Sequence, residues 1–333
     1  MTRSLPADDP KSLLDTETDA PGRPDGRDLL VRVEAVSVNP VDTKVRQSRP
    51  KEQISPKILG WDAAGVVEEA GPECSLFKAG DAVYYAGALD RPGSNAQFQL
   101  VDERIVGLKP EKLDFAQAAA LPLTALTAWE TLLDRLRIGI GVANIDKTLL
   151  IIGGAGGVGS IAIQLAHRFG LKVIATASRP DSQEWCRSLG AHHVVGRSRP
   201  LREEVRATGH EHVDFIANFA DTDAYWAEMA ELIKPQGKIC SIVENKEPVD
   251  LGLLKSKSAT FSWEFMFTRA MYQTSDLEAQ GRILGEVRKL VDAGALRTTL
   301  GENLGPIRGD LLRQAHAKLE AGTAVGKVVL AGW

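Results

Sequence analysis

The chain has 333 residues, 44% hydrophobic and 25% charged. It exceeds the roughly 250 residues at which a single core stops growing, so two domains are expected, and neither disorder nor a fibrous repeat is indicated. Lys and Arg number 40 against 44 Asp and Glu, a net charge of -4; no block of like charge could bind nucleic acid, no apolar run reaches the roughly 20 residues of a membrane span, and MTRSLPADDP carries no apolar signal core. The expectation is a cytoplasmic protein with neither nucleic acid nor membrane as partner.

DAPGRPDGRD (19–28) reads as an exposed turn, after which LLVRVE (29–34) alternates as a half-buried strand does. GVVEEAG (65–71), DAVYYAG (81–87) and AQFQLVD (96–102) read as further short strands between Gly, Pro and Asp turns, making the first third β-rich. From Phe115, DFAQAAALPLTALTAWETLLDRL takes helical spacing, with two helices meeting at Pro122. TLLIIG, SIAIQLAHRFG, KVIATA, DSQEWCRSLGA, VDFIANF, TDAYWAEMAELIKPQG and KICSIV then alternate strand with helix, which implies a doubly wound parallel sheet with right-handed crossovers. The stretch ATFSWEFMFTRAMYQT (259–274) gathers Phe261, Trp263, Phe265, Phe267 and Tyr272. Its alternation fits an edge strand; its rings could equally pack a core or line a flat pocket. Helices over 281–296 and 310–322 and a last strand over 326–332 are expected to fold back onto the first third. The expected domains are 1–124 and 269–333 for one, and 125–268 for the other, inserted into it.

Gly154, Gly156 and Gly159 form G-x-G-x-x-G between the strand TLLIIG and the helix SIAIQLAHRFG. In that context the spacing is a dinucleotide fingerprint: a tight turn, close approach of backbone to a pyrophosphate, and close helix packing, with the N–H groups at the helix start, from Gly157 through Val158 and Gly159 to Ser160, facing the phosphates. About 20 residues on, where NAD-binding chains place a carboxylate for the ribose, stand Ser178 and Arg179. A hydroxyl and a guanidinium suit a 2′-phosphate, so NADP(H) is the expected cofactor. Asp181 is the counter-argument for NAD, although at that position it is expected to cap the next helix. Asn218, closing VDFIANF, and Val243, after KICSI, stand at carboxyl strand ends, where ligands collect in such sheets.

Cys74, Cys186 and Cys240 lie far apart and read as reduced packing residues. His192, His193, His210 and His212 have no cysteine support and read as surface histidines.

VRVEAVSVNPVDTKVR (31–46), ILGWDAAGVV (58–67), FKAGDAVYY (77–85), LPLTALTAWETL (121–132), GGAGGVGSIAIQLA (153–166) and GKVVL (326–330), in that order, resemble the medium-chain dehydrogenase/reductase superfamily, within it the quinone oxidoreductase branch often labelled zinc-type alcohol dehydrogenase-like. The resemblance spans nearly the whole chain, departing at the start, where the family's leading strand is shortened or absent. It implies a Rossmann domain inserted in a β-rich GroES-like catalytic domain, and a homodimer. Zinc-dependent relatives have a cysteine that falls on or beside Asn39, and Gly-His-Glu where this chain has Gly60, Trp61 and Asp62. Thr124 and Thr127 supply no replacement ligand, so no zinc is expected.

Asn39 and Asp42 are implied near the nicotinamide, Asn39 as a polar orienter, although a structural turn capped by Asp42 explains them equally. Thr127 is implied beside the nicotinamide ring, with a helix hydroxyl bonded to its own backbone as the alternative. Lys44 and Lys327 are implied cofactor contacts, and for Lys327 an exposed structural lysine is the other reading. Without a metal Lewis acid, a quinone or α,β-unsaturated carbonyl is the fitting acceptor, because it delocalises the charge that hydride brings. Reduction of an enoyl thioester and a non-catalytic NADP(H)-binding sensor or structural protein remain alternatives.

Overall fold

The strand β1 (Asp28–Val38) carries the architecture of the chain's two ends. Its sequence alternates so regularly that inward and outward residues alternate from Asp28 to Ala35, and its last residues are buried throughout. The computed structural model describes residues 1, 3–48, 50 and 56–333. Among described residues, none before Asp28 is in a strand. Asn39 follows β1, and α1 (Pro40–Ser48) starts at once, Pro40 taking a first-turn position where a missing N–H costs nothing. β2 (Ala63–Ala70) pairs antiparallel along β1, β3 (Ala82–Tyr85) pairs with β2, and β4 (Phe98–Asp102) lies on the other edge of β1, Leu29 opposite Val101. β5 (Val106–Leu108) extends β3. The two expected helices are α2 (Phe115–Ala119), opened by an Asp114–Gln117 capping box, and α3 (Pro122–Trp129), which continues into a π-helical turn over Glu130–Arg135.

A six-stranded parallel sheet follows. β6 (Thr148–Ile152) is its starting strand, buried on both faces as a central parallel strand must be. The chain proceeds outward on one side through α4 (Gly157–Arg168), β7 (Lys172–Thr176), α5 (Pro180–Ser188) and β8 (His193–Val195). It then crosses by α6 (Leu201–Arg206) to β9 (Val213–Asn218), α7 (Thr222–Leu232), β10 (Ile233–Ser241), α8 (Gly252–Lys255) and β11 (Thr260–Trp263). The strand order β11-β10-β9-β6-β7-β8 is that of a doubly wound Rossmann sheet. Leu150, Ile152, Ile174, Ile216 and Ile239 form its core with Trp226 and Met229 of α7.

Two expectations shift. The helical reading of TDAYWAEMAELIKPQG runs too far: α7 stops at Leu232 and Ile233 already pairs with Val213, because Pro235 cannot continue a helix. The aromatic strand ends at Trp263, because the next residue turns inward, Glu264 meeting Arg135 at 2.7 Å. β11 is an edge strand carrying a T-shaped ladder, Trp226 to Phe261 at 5.1 Å and Phe261 to Trp263 at 4.9 Å, with Trp263 44% exposed.

After α9 (Thr268–Tyr272) come α10 (Ala279–Asp292), β12 (Leu300–Asn303), α11 (Gly309–Glu320) and β13 (Lys327–Ala331). β13 pairs antiparallel with β1, Val36 opposite Leu330, beyond the stretch that β4 occupies. The seven-stranded sheet runs β12-β13-β1-β2-β3-β5 with β4 on β1. The chain thus divides into two compact units, Met1–Leu126 with Phe267–Trp333, and Thr127–Met266. No helix among the described residues is long and apolar enough to cross a membrane.

Helix α10 offers a paired test of packing. A Cβ on Gly281 would stand 2.7 Å from the carbonyl oxygen of Arg104 and 2.9 Å from that of Val106, whereas one on Gly285 would meet nothing within 4 Å. Gly281→Ala is expected to lower stability by about 1–3 kcal/mol, and Gly285→Ala, also mid-helix, to raise it by about 0.5–1 kcal/mol. Urea unfolding of the two variants checks the opposite signs.

Candidate functional site

Two clusters hold the candidate residues, one in each unit. In the first, the end of β1 presents Ser37, Val38 and Asn39. The peptide N–H of Asn39 donates to Asp42 Oδ2 at 2.6 Å, so Asp42 closes the first turn of α1. The Asn39 amide is engaged at both ends: Nδ2 donates to Asp62 Oδ2 at 2.8 Å, and Oδ1 accepts from Lys327 Nζ. Asp62, fully buried, accepts from Ser37 Oγ at 3.1 Å and Lys327 Nζ at 3.0 Å on the same oxygen, and from the peptide N–H of Leu123 at 2.7 Å on the other. That last bond ties down the start of α3. Lys327 is therefore a buried partner of Asp62 and not an exposed lysine. Asn39 and Asp42 are each 1% exposed. Lys44 stands exposed on α1, and Thr127 is buried on α3.

Burial pushes the Asp42 carboxyl up to about 7, against the pull of the Asn39 N–H and of Lys327 and with a further push from Asp62. Burial also raises Asp62, opposed by Lys327, Asn39 and the Leu123 N–H. Two carboxylates thus share one ammonium in a volume closed to water.

In the second cluster, β6 runs into the glycine bend. Gly153, with φ +88°, makes the turn, one residue ahead of the fingerprint, and its N–H donates to Thr176 Oγ1 at 2.9 Å. Gly154 lies against β7, where a Cβ would be 2.8 Å from that of Ala175. Gly159 lies against the bend, where a Cβ would be 2.3 Å from Gly153 O. Gly156 differs: its only neighbour at that range is Gly153 O, at 3.5 Å. The residue whose backbone would face a pyrophosphate is the one with open space in front of it. It is also the N-cap of α4, with no side-chain cap bond, so the first N–H groups, of Gly157, Val158 and Gly159, are available to an anion.

Ser178 and Arg179 are exposed just past the end of β7. Asp181 does not cap α5: Arg179 is the N-cap residue, its N–H donating to Ser182 Oγ at 3.1 Å. Asp181 sits in the first turn, 3.7 Å from Arg179 Nε. Asn218 is buried and consumed: Nδ2 donates to Thr222 Oγ1 and Ser241 Oγ, both at 3.2 Å, and Oδ1 accepts from Ala220 N–H at 3.1 Å. Thr222 in turn donates to the carbonyl of Val243, so this network links the carboxyl ends of β9 and β10.

Residues 25–111 match the family model of the alcohol dehydrogenase GroES-like domain, and residues 189–330 that of the zinc-binding dehydrogenases. A zinc-type alcohol dehydrogenase-like protein of Staphylococcus aureus is 44% identical over 308 residues, 92% of this chain and 91% of that one. The chain belongs to the medium-chain dehydrogenase/reductase superfamily. It is an oxidoreductase of that superfamily's alcohol dehydrogenase-like, quinone oxidoreductase-like branch. The 2-methylene-furan-3-one reductase of Solanum lycopersicum is 32% identical over 311 residues, 91% of this chain and 71% of that protein. Among solved structures, a Rhizobium etli CFN 42 protein provisionally named a zinc-dependent alcohol dehydrogenase superposes with a TM-score of 0.94 at 52% identity, covering 100% of this chain and 96% of that one. Escherichia coli quinone oxidoreductase complexed with NADPH gives 0.80 at 25% identity, covering 95% and 94%.

The donor set does not fit the zinc of the family label. Trp61 is buried with its indole N–H on Ala88 O at 3.0 Å, Thr124 donates back to Leu121 O at 3.0 Å, and both oxygens of Asp62 are already engaged. Among the described residues no group of three or more His, Cys, Asp or Glu is placed to hold a metal ion. The cysteines are free, and burial pushes Cys186 and Cys240 up to about 12, which suits packing and not reactivity. Four of the histidines pair by their rings, His167 with His192 at 5.3 Å and His193 with His210 at 5.6 Å.

Asp62 organises the first cluster, although in the sequence it stands out only as the residue in place of the glutamate of Gly-His-Glu. The signal was available: one carboxylate within the apolar run ILGWDAAGVV must find a buried partner.

Two outcomes are expected. A Cβ on Gly159 meets backbone that cannot yield, so Gly159→Ala should abolish dinucleotide binding, read by fluorescence titration. For Asp42, the unfolded chain loses its proton near pH 4 and the folded chain near pH 7, so this group's contribution to stability falls as pH rises through that window. Asp42→Asn, which keeps an acceptor for the Asn39 N–H, should match the wild type at about pH 4 and exceed it at about pH 8 by on the order of 2–4 kcal/mol. Chemical unfolding at the two pH values checks this.

Proposed function

We propose that the chain is a zinc-independent, NADPH-dependent oxidoreductase that transfers hydride to a quinone or an α,β-unsaturated carbonyl. The observation that carries the cofactor reading is the bend: an open space before Gly156 at the start of α4, with Ser178 and Arg179 exposed at the next strand end. The N–H groups of Gly157, Val158 and Gly159 would hold the pyrophosphate, and Ser178 and Arg179 the 2′-phosphate. Lys44 offers a further cationic contact. When bound, the nicotinamide supplies the hydride.

The acceptor reading rests on the donor set. An isolated ketone needs a strong electrophile to stabilise the developing alkoxide, and of Asn39, Asp62 and Thr124 only Asp62 is of a kind that holds zinc, with both its oxygens already engaged. A conjugated acceptor needs only orientation and ordinary donors. The names of the tomato reductase and of the NADPH-complexed Escherichia coli enzyme agree with this class of chemistry. Asn39 and Asp42 would act by shaping the wall of the site, since their polar groups are committed to one another, to Asp62 and to Lys327; Thr127 would contribute beside the ring. Asn218 and Val243 would act in the same indirect way, by fixing the strand ends. We place the enzyme in the cytoplasm as a homodimer, with β11 and its exposed Trp263 as the contact edge.

The test is NADPH consumption followed at 340 nm with a small quinone or enone. Turnover with either acceptor and none with a simple alcohol or ketone is expected; cofactor binding without turnover on any acceptor overturns the proposal. Arg179→Ala should raise KM for NADPH by about 10- to 100-fold, the worth of a charged hydrogen bond, and leave KM for NADH nearly unchanged. Equal losses for both would remove the 2′-phosphate from its role.

A further inference from the structure

The family label calls for a metal, and the residues at its expected ligand positions surround something else. We infer that Lys327 is a built-in cation that does the electrostatic work of a metal at the Asn39–Asp62 site: it neutralises Asp62, holds the Asn39 amide in one orientation, and closes the cluster to divalent ions. This inference rests on the family assignment and is independent of which cofactor or acceptor the enzyme uses.

The argument is a complete accounting of donors and acceptors. An ammonium has three N–H groups. Those of Lys327 go to the carbonyl of Val38 at 3.2 Å, to Asn39 Oδ1, and to Asp62 Oδ2 at 3.0 Å. Asp62 receives Ser37, Asn39 and Lys327 on one oxygen and Leu123 on the other. A carbonyl, an amide and a carboxylate oxygen thus surround a nitrogen cation that is only 4% exposed. A zinc ion, bound at about 2.0–2.2 Å by oxygen and preferring thiolate and imidazole, would have to expel that ammonium and break each of these bonds.

Position is enforced by strand register. Val328 pairs with Val38, so Lys327, one residue before it, must lie at the end of β1 where Asn39 stands. The charge is therefore delivered by the chain and cannot dissociate. The charged groups facing Asp62 and Asp42 are each other and Lys327, drawn from α1, the segment before β2, and β13.

Three measurements test this. First, wild-type enzyme purified from zinc-supplemented cells should contain no stoichiometric zinc by mass spectrometry; one zinc per chain whose chelation lowers Tm overturns the inference. Second, Lys327→Ala should lower Tm by roughly 5–15 °C, and propylammonium, which restores the missing chain and charge, should recover a saturable part of that loss, whereas propanol of the same shape should not. Equal recovery by both, or by neither, overturns it. Third, in case the alanine variant does not fold, Lys327→Met keeps the bulk without the charge. Its Tm deficit relative to Lys327→Arg should widen from pH 5 to pH 8, as the buried carboxylates lose their proton with no cation to answer them. A deficit that is the same at both pH values assigns Lys327 to packing alone.

Discussion

A carboxylate with no route to water must be answered from inside the fold, and Asp62 is answered by four donors from three separated segments. Ser37 and Asn39 come from the end of β1, Leu123 from the start of α3, and Lys327 from β13 near the C-terminus. Removing any one leaves a buried charge short of a partner, a penalty of a few kcal/mol and hence a large part of a typical stability margin. The bond from Lys327 spans 265 residues of sequence, so the cluster forms only when the last strand has returned to the first. The geometry of the catalytic unit and the closure of its sheet are one event.

The inserted unit solves a different problem with no side-chain charge. Its bend keeps four glycines for three reasons: a left-handed turn at Gly153, tight packing at Gly154 and Gly159, and free space at Gly156. What results is a set of N–H groups at the positive end of a 12-residue helix, an arrangement that favours an anion. The side chains just past β7 are a hydroxyl and a guanidinium, those of Ser178 and Arg179, both exposed.

The name of the Staphylococcus aureus relative, zinc-type alcohol dehydrogenase-like, points to a metal that the residues at these positions do not fit. Homology over more than nine-tenths of the chain establishes the superfamily, while Asn39, Trp61 and Thr124 are not of the thiolate or imidazole kind that zinc prefers. The indole at position 61 donates away from the cluster, to Ala88 O, and so removes both a ligand and the space for one.

By itself the sequence determined what depends on neighbours along the chain. The alternation of β1, the run of strands and helices that makes a parallel sheet, the glycine bend after β6, the interruption at Pro122 and the lack of zinc ligands are all local patterns, set by backbone sterics and side-chain periodicity. Even locally, competition between adjacent residues hid some detail, as when Arg179, its N–H held by Ser182 Oγ, and not Asp181 became the N-cap of α5. Only the tertiary structure decided that Asn39, Asp62 and Lys327 are one cluster, that Asn218 is spent on Thr222 and Ser241, and that Asp42 titrates near neutrality. These depend on strand register and on exclusion of water, and both are properties of the closed sheet that no short window of residues contains.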